Sequence, residues 1–171
     1  MFDSYLQPFY RPLGAPSLHV CQRVAIQHLS HIMTRDTEQL PTMAARILIA
    51  DDNPHVRHSL RTLLERNPEW EICGEAVDGK DAVRKARQLS PDLIVMDFLM
   101  PGMNGLEAAR EISRTVPDMP ILICTMYLSQ QLTEVAKRAG LRGAVAKTGV
   151  DQVAKGVEAL LRHETFFGSP N

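Results

Sequence analysis

Short apolar runs alternate with amphipathic stretches from about Ala45 onward, and this alternation constrains the fold more than any other feature of the chain. The apolar runs have the length of buried strands, and the stretches between them have the apolar spacing of helices packed on one face. Repeated strand–helix units build a parallel sheet, because each helix carries the chain back to the edge where the next strand begins. The sequence therefore predicts an α/β protein with a doubly wound parallel sheet and helices on both faces.

Five strands are predicted, and their composition indicates where two of them lie in the sheet. The predicted strands are Arg46–Ala50, Trp70–Ala76, Leu93–Met96, Ile121–Cys124 and Gly143–Ala146. Trp70–Ala76 alternates apolar and polar residues, which is typical of an edge strand. Leu93–Met96 is apolar throughout, so we expect it in the centre of the sheet, buried on both faces.

Capping residues mark the start of four predicted helices. The predicted caps are, in chain order, Asn53 with Pro54, Asp78 with Asp81, Asn104 with Glu107, and Thr148 with Asp151. A side-chain oxygen at the cap accepts a hydrogen bond from an amide of the first turn that has no partner within the helix. Proline suits the first helical position, where its missing N–H leaves nothing unpaired. These signals support the alternation of strands and helices.

Polar side chains follow four of the predicted strands, at the point where each strand ends. They are Asp51 and Asp52, Asp97, Thr125 and Lys147. The carboxyl ends of parallel strands lie along one edge of the sheet, so we expect these side chains to meet in one pocket. Each has an ordinary explanation in isolation, as a helix cap, a strand residue or a solvated charge. The agreement of four strand ends favours a functional site.

The residue types at this edge suit a divalent cation and phosphoryl transfer. Adjacent carboxylates repel each other, and Asp97 adds a third negative charge, which a hard cation such as Mg²⁺ relieves by taking oxygen ligands. A carboxylate held on a rigid strand can act as a covalent nucleophile and form an aspartyl phosphate. Phosphoryl transfer needs positioning and charge stabilisation, which the Thr125 hydroxyl and the Lys147 ammonium would supply together with the metal.

Composition narrows the classes of function. The net charge of −1, without a clustered basic excess, gives no electrostatic indication of nucleic-acid binding. No apolar stretch reaches the ~20 residues that a membrane span needs, and the N-terminus shows no export signal. Cys21, Cys73 and Cys124 are odd in number, and the last two lie in predicted strands as small buried side chains. A reducing, cytoplasmic setting is expected.

From about Ala44 to Leu161 the chain resembles the receiver domain of bacterial two-component response regulators, in the NarL/FixJ-type branch. The resemblance rests on the segments LIADDNPHVRHSLRTLLE, PDLIVMDFLMPGMNGLEAAREI and ILICTM. It implies a flavodoxin-like fold with five strands in the order 2-1-3-4-5. It also implies three parts: an N-terminal extension over residues 1–43, a receiver domain over residues 44–163, and a tail over residues 164–171. The extension is interpreted either as a partner-binding arm or as the result of a start placed too far upstream of Met43.

The same resemblance assigns a role to each pocket residue. The implied roles are Asp97 as phosphoacceptor; Asp52, Asp97 and the main-chain carbonyl of Leu99 as Mg²⁺ ligands; Asp51 as a metal ligand through water; and Thr125 and Lys147 as partners of the phosphoryl oxygens. The donor would be a sensor histidine kinase or a phosphotransfer protein. The receiver would catalyse only its own phosphoryl transfer and dephosphorylation, and it would signal to a downstream protein through its fourth helix, fifth strand and fifth helix. Direct DNA binding and membrane association are not expected, and the choice between monomer and homodimer stays open.

Two positions depart from the family pattern. Ala144 stands three residues before Lys147, where receivers usually have the Tyr or Phe whose rotamer reports phosphorylation, and Thr148 stands where many have proline. Ala144, together with the lack of a recognised effector segment, leaves a second hypothesis open, a degenerate receiver that works as a constitutive adaptor or dimerisation module. A hydrolase of the haloacid dehalogenase type is disfavoured because Leu99 stands where its second aspartate is required. A flavodoxin-like cofactor binder is disfavoured because Asp51 would repel a phosphate.

The tail over residues 164–171 resembles the linker from such receivers to a helix-turn-helix effector, of which no segment is recognised in this sequence. It carries two large apolar side chains, Phe166 and Phe167, beside a Gly-Ser-Pro run. We expect these side chains to pack back on the last helix, with a contact to a partner as the alternative.

Overall fold

Six parallel strands form one sheet in the computed structural model, which describes residues 44–170. The strands are β1 (Ala45–Ala50), β2 (Trp70–Ala76), β3 (Leu93–Asp97), β4 (Ile121–Thr125), β5 (Gly143–Ala146) and β6 (Phe166–Phe167). The helices are α1 (Pro54–Leu64), α2 (Gly79–Leu89), α3 (Gly105–Thr115), α4 (Gln130–Arg138) and α5 (Val150–Leu161). The predictions for the N-terminal extension and for Cys21 lie outside the described residues.

The strand order is β2-β1-β3-β4-β5-β6, and all neighbouring pairs are parallel. The order 2-1-3-4-5 is therefore confirmed for the first five strands, but the prediction of a five-stranded sheet is wrong. The sixth strand is held by main-chain hydrogen bonds from Phe166 N to Arg142 O and from Gly168 N to Ala144 O, both 2.8 Å. A strand of two residues has no apolar period of its own, so nothing in its pattern separates it from a tail. The division of the chain at residues 43 and 163 stays a prediction.

The core consists of two apolar layers, one on each face of the sheet, because successive strand residues point to opposite faces. Ile47 and Ile49 of β1 pack with the buried side chains of α1 and α5. Leu48 and Ala50 pack with those of α2, α3 and α4. The central strand β3 is buried along its whole length, as its composition predicted. The two layers hold the strand ends rigidly, which fixes the positions of the side chains at the carboxyl edge.

The predicted caps are confirmed for α1, α2 and α3. Asn53 accepts a hydrogen bond from His55 N, Asp78 accepts one from Asp81 N, and α3 begins with a complete capping box. The prediction for α5 is wrong, because its cap position is Gly149 and no side chain bonds to the helix start. A turn in which Gly149 N donates to Ala146 O puts Thr148 one residue too early to act as the cap.

Three further expectations concern the position of β2, the burial of two cysteines and the length of the helices. Strand β2 lies at one edge of the sheet, as its alternating pattern predicted. Cys124 is fully buried, whereas Cys73 is only half-buried. None of the helices within residues 44–170 combines the length and the apolar character that crossing a bilayer needs.

Candidate functional site

Three carboxylates that were predicted to meet lie together at the carboxyl edge of the sheet. Asp51 and Asp52 directly follow β1, and Asp97 is the last residue of β3. One oxygen from each carboxylate lies within 4.8 Å of the other two. Asp51 and Asp97 are 1% and 6% exposed, whereas Asp52 is exposed to solvent. The pocket therefore has a buried acidic floor and one carboxylate at its mouth.

Lys147 follows β5 and reaches into the same pocket. Its Nζ lies 2.5 Å from Asp51 Oδ2 and 3.0 Å from Asp97 Oδ2, so one ammonium bridges two carboxylates. Its side chain is only 8% exposed. The sequence predicted that Lys147 would be in the pocket, but the ion pair with Asp51 was not foreseen.

Thr125 ends β4 at the same edge of the sheet. Its neighbour Cys124 pairs with Asp97 in the β3–β4 register, so Thr125 lies one residue further toward the pocket. Thr125 is buried, and its hydroxyl donates to the carbonyl of Tyr127 at 3.5 Å, the long limit for such a bond. This hydroxyl is therefore weakly held and could take a stronger acceptor.

Leu99 lies in the loop after β3, two residues beyond Asp97. Its side chain is exposed, and its main chain donates a hydrogen bond to the Asp97 carboxylate. The loop is thus tied to the carboxylate that it follows. The role of the Leu99 carbonyl as a metal ligand stays a prediction.

Burial and charge perturb both ionisable groups that form the centre of the pocket. Burial raises the pKa of the Asp97 carboxyl above its usual value, with a further contribution from the charge of Asp51, although Lys147 opposes the shift. Burial lowers the pKa of the Lys147 ammonium, but its attraction to the carboxylates of Asp51 and Asp97 outweighs burial, so its pKa lies above the ordinary value. Lys147 stays charged near neutral pH, and it is the cation that partly neutralises the two buried carboxylates.

The donor set of this pocket fits a hard divalent cation. Three carboxylates face one ammonium, which leaves an excess of negative charge in a largely buried space. Within the described chain, Oδ2 of Asp51 is buried and has Lys147 as its ion-pair partner, but it has no donor in good hydrogen-bond geometry. Oxygen ligands of this kind are those that Mg²⁺ prefers.

Gly105 is a site-supporting residue that the sequence analysis did not single out. It is the first residue of α3, and its amide donates to Phe98 O at 2.9 Å. A Cβ at this position would lie 2.2 Å from the carbonyl oxygen of Asp97, which is closer than real contacts allow. The glycine lets α3 begin directly against the main chain of Asp97. A glycine four residues after Pro101 in this loop was the available signal.

Arg57 also supports the pocket and was also missed. From α1 it donates to the main-chain carbonyls of Asp51 at 2.8 Å and Asp52 at 3.3 Å. Its Nε donates to Glu75 of β2 at 3.1 Å, and Glu75 is also bonded by Arg61. The arginine thus fixes the acidic loop to the neighbouring strand. In the sequence it is indistinguishable from a solvated arginine of an amphipathic helix.

Apolar side chains surround the mouth of the pocket. Leu99, Met126 and Tyr127 are each more than half exposed, and they follow the two strands that carry Asp97 and Thr125. Beside this mouth, a groove of 590 Å³ runs between α1 and α5 and is lined in part by Lys147 and Met126. The surface beside the pocket is therefore partly apolar and exposed.

The fold and this edge of the sheet define a class of protein, a doubly wound α/β fold with polar side chains gathered at the carboxyl ends of β1, β3, β4 and β5. A family model described as "Response regulator receiver domain" matches residues 47–158. The chain belongs to this family, the receiver domains of two-component response regulators with a flavodoxin-like fold. The prediction of that family from the sequence is confirmed.

Individual relatives agree with the family. The chain is 37% identical over 120 residues to the transcriptional regulatory protein LiaR of Bacillus subtilis, covering 70% of this chain and 57% of LiaR. It is 33% identical over 126 residues to the response regulator protein VraR of Staphylococcus epidermidis, covering 73% of this chain and 60% of VraR. The chain thus spans somewhat more than half the length of these relatives. Because one of them is named a transcriptional regulator, the expectation that this chain does not bind DNA receives no support from the comparison.

Solved structures show the same fold. A two-component response regulator of the LuxR family from Aurantimonas superposes with a TM-score of 0.70 at 36% identity, over 72% of this chain and 89% of that one. The isolated receiver domain of RcsB from Salmonella enterica serovar Typhimurium, in the presence of phosphomimetic BeF₃⁻, superposes with a TM-score of 0.68 at 25% identity, over 73% of this chain and 94% of that one.

Proposed function

We propose that this chain is a phosphorylation-dependent receiver that accepts a phosphoryl group on Asp97 from a histidine kinase or a phosphotransfer protein. The observation that carries the proposal is the bridge of Lys147 between Asp51 and Asp97 in a largely buried pocket. An ammonium in this position can exchange a carboxylate partner for a phosphoryl oxygen without leaving the pocket. A purely structural ion pair would not need two further carboxylate groups beside it.

The proposed step is an in-line transfer between two nucleophiles. An oxygen of the Asp97 carboxylate attacks the phosphorus of a phosphohistidine, the new P–O bond forms, and the P–N bond breaks. The electron pair of the broken bond stays on the imidazole nitrogen, which takes up a proton. Lys147 and the Thr125 hydroxyl each offer a hydrogen-bond donor to the phosphoryl oxygens as charge develops on them. Since the charge is delocalised over these oxygens, positioning and charge stabilisation are the main requirements.

Mg²⁺ belongs to the proposal as the resident cation of the pocket. Asp52, Asp97 and the main-chain carbonyl of Leu99 would hold it, and Asp51 would hold it through water. When bound, the ion supplies positive charge that neutralises the carboxylates and the incoming phosphoryl oxygens. The convergence of the three carboxylates within 4.8 Å supports this assignment.

The output surface is proposed to be α4, β5 and α5, which would bind a downstream protein in a manner that depends on phosphorylation. Two connections support this. Lys147 directly follows β5, and Thr125 is joined to α4 by the short loop over residues 126–129.

The chain would turn over no separate substrate, because both chemical steps, phosphorylation and dephosphorylation, occur on Asp97 itself. A cytoplasmic location and a choice between monomer and homodimer belong to the same proposal.

Mass spectrometry of the intact protein tests the proposal. The native chain is incubated with acetyl phosphate, with and without Mg²⁺, and we expect a gain of one phosphoryl group only when Mg²⁺ is present. Asp97→Asn should show no gain. Asp118→Asn is the matched control, because this carboxylate is exposed and precedes the amino end of β4, whereas the pocket lies at the carboxyl ends of the strands, and it should behave like the native protein. Loss of the mass gain in both variants, or in neither, would contradict the proposal.

A constitutive adaptor is the second candidate, and one observation favours it. Ala144 is fully buried on β5 and has no ring that could change its position with phosphorylation. The two candidates differ in whether α4 and β5 respond to the pocket. If amide chemical shifts of these elements stay unchanged when beryllofluoride binds with Mg²⁺, the adaptor is supported and the switch is not.

A further inference from the structure

The C-terminal strand β6 pairs with β5 and packs into the core on both faces of the sheet. The residues that it contacts on β5, α4 and α5 are called the β6 docking site. Its two phenylalanines lie on opposite faces of the sheet: Phe166 packs into the apolar layer of α5, and Phe167 packs into the layer of α4. In the register of the two strands, Gly143 faces Phe166 and Ala144 faces Phe167. The segment is therefore a part of the sheet and not a loose tail.

Glycines on β5 and α5 allow β6 to approach closely at this docking site. A Cβ at Gly143 would lie 3.0 Å from the carbonyl oxygen of Phe166, and a Cβ at Gly156 of α5 would lie 3.3 Å from the Phe166 ring. On the other face, the Nζ of Lys137 lies 5.1 Å from the centre of the Phe167 ring, within range of a cation–π contact. An aromatic ring thus lies beside Ala144, and it belongs to the neighbouring strand.

The β6 docking site is in contact with the loop over residues 126–129, which joins Thr125 at the end of β4 to α4. Leu128 in this loop is fully buried in the same apolar layer as Ala144 and Phe167. A Cβ at Gly168, directly after β6, would lie 3.6 Å from a methyl carbon of Leu128 and 3.6 Å from the Cα of Val145. Leu128 is three residues from Thr125, so a displacement of this loop changes the packing against β6.

We infer that the docking of β6 on β5 is coupled to the occupancy of the Asp97 site, and that a phosphoryl group or its mimic loosens β6. This inference rests on the proposed function. The Thr125 hydroxyl holds its present acceptor only at 3.5 Å, and a charged phosphoryl oxygen is a stronger acceptor. A shift of Thr125 toward Asp97 draws the loop over residues 126–129 toward the pocket and withdraws Leu128 from Gly168.

Coupling of two sites is reciprocal, so it makes two independent demands. Occupancy of the pocket must weaken the docking of β6, and weaker docking of β6 must strengthen the binding of a phosphoryl mimic by the same factor. The first demand concerns the main-chain bonds of Phe166 and Gly168. The second concerns the side chain of Phe167.

Amide hydrogen exchange of the full chain tests the first demand, with Mg²⁺ present and with or without beryllofluoride. Fluorine NMR of the same samples shows whether beryllofluoride is bound. We expect the exchange of the Phe166 and Gly168 amides to accelerate by about fivefold or more on binding. The amide of Ile94 in the central strand β3, bonded to Pro120 O and separated from β6 by β4 and β5, is the internal control and should not change.

The outcomes separate this inference from the proposed function. Bound beryllofluoride with unchanged exchange at Phe166 and Gly168 overturns the inference and leaves the proposed function standing. A failure to bind beryllofluoride at all overturns the proposed function and the inference with it. Accelerated exchange at both amides and not at Ile94 supports the inference.

Phe167→Ala tests the second demand. We expect this variant to bind beryllofluoride about fivefold or more tightly than the native chain, because β6 is already released. Leu89→Ala is the matched control: it removes a half-buried apolar side chain at the end of α2, beside Gly74 of β2 and at the other side of the sheet from β6, and should leave the affinity unchanged. Native-like exchange in β1 and β3 shows that each variant is folded. Equal affinities of Phe167→Ala and the native chain would overturn the inference.

Discussion

The ammonium of Lys147 lies 3.0 Å from the carboxylate of Asp97, and both side chains are more than nine-tenths buried. An ion pair of this kind loses the hydration of both groups, so it depends on the partner remaining in place. An anion that takes the place of the Asp97 charge would pair with an ammonium that has already lost its hydration. The desolvation of Lys147 therefore adds no further cost when such an anion binds. This relationship gives the first prediction.

Lys147→Met should destabilise the protein by about 3 kcal/mol in the absence of Mg²⁺, because Asp51 and Asp97 would be left buried without their cation. Urea denaturation measures this loss. The double variant with Asp51→Asn should recover a part of it, since one of the two unpaired charges is then gone. Lys155→Met, at an exposed position of α5, is the control and should change the stability by less than about 0.5 kcal/mol. A loss at Lys147 no larger than that at Lys155 would contradict the account of the bridge.

Mg²⁺ should stabilise the native chain because it binds the folded state, and the gain should grow with the logarithm of its concentration above the dissociation constant. A ligand that binds only the folded state raises the free energy of unfolding, by about 2.7 kcal/mol at a concentration a hundred times its dissociation constant. Thermal denaturation with increasing Mg²⁺ should therefore show a rising midpoint. Asp52→Asn should reduce the rise, and chelation of the metal should abolish it. The same rise in Asp52→Asn as in the native chain would argue against Asp52 as a ligand.

Gly105→Ala should destabilise the fold and displace Asp97, the proposed phosphoacceptor. The new Cβ would lie 2.2 Å from the carbonyl oxygen of Asp97, so α3 or the end of β3 must shift. We expect a loss of about 1–3 kcal/mol, typical of overpacking, together with slower phosphorylation by acetyl phosphate. Gly149→Ala is the matched control, because its Cβ would meet mainly the flexible side chain of Gln152, and it should cost less than about 1 kcal/mol. Equal effects at the two glycines would refute the role of Gly105.

The stability of the chain should fall in acid partly through Glu75. Hydrogen bonds from Arg61 and then from Arg57, acting against burial, hold the pKa of this carboxyl below its usual value. Because the pKa is lower in the folded than in the unfolded state, the contribution is complete above the ordinary glutamate pKa, near 4.5, and is lost as the pH falls through the depressed value. Urea denaturation from about pH 6 to pH 3 should show a shallower decline for Glu75→Gln than for the native chain. Glu164→Gln, at an exposed position, should follow the native curve.

Much of the fold and of the pocket could be predicted because the signals are local. Asp97 and Thr125 each end an apolar run, and the parallel arrangement of the strands is enough to bring them to one edge of the sheet. Asn53 and Asp78 precede amphipathic stretches, and a cap acts within a single turn. Such features need no knowledge of distant contacts.

The features that were missed depend on contacts between distant parts of the chain. Strand β6 is formed by backbone bonds to β5, and a Cβ at Gly143 would lie only 3.0 Å from the carbonyl oxygen of Phe166. Arg57 is recognisable as a support of the acidic loop only once α1 is packed beside β2. Thr148 is a residue type that often caps helices, but it lies one residue before Gly149, which occupies the cap position of α5. Neither periodicity nor residue type encodes these relationships.

The most direct measurement of the central claim is the chemical location of the phosphoryl group. The native chain is treated with acetyl phosphate and Mg²⁺, reduced with borohydride, which converts an aspartyl phosphate to homoserine, and digested for peptide mass spectrometry. The account predicts homoserine at position 97, and only in samples that contained Mg²⁺. Homoserine at Asp51 or Asp52 instead, or none at any position in a folded sample, would contradict it.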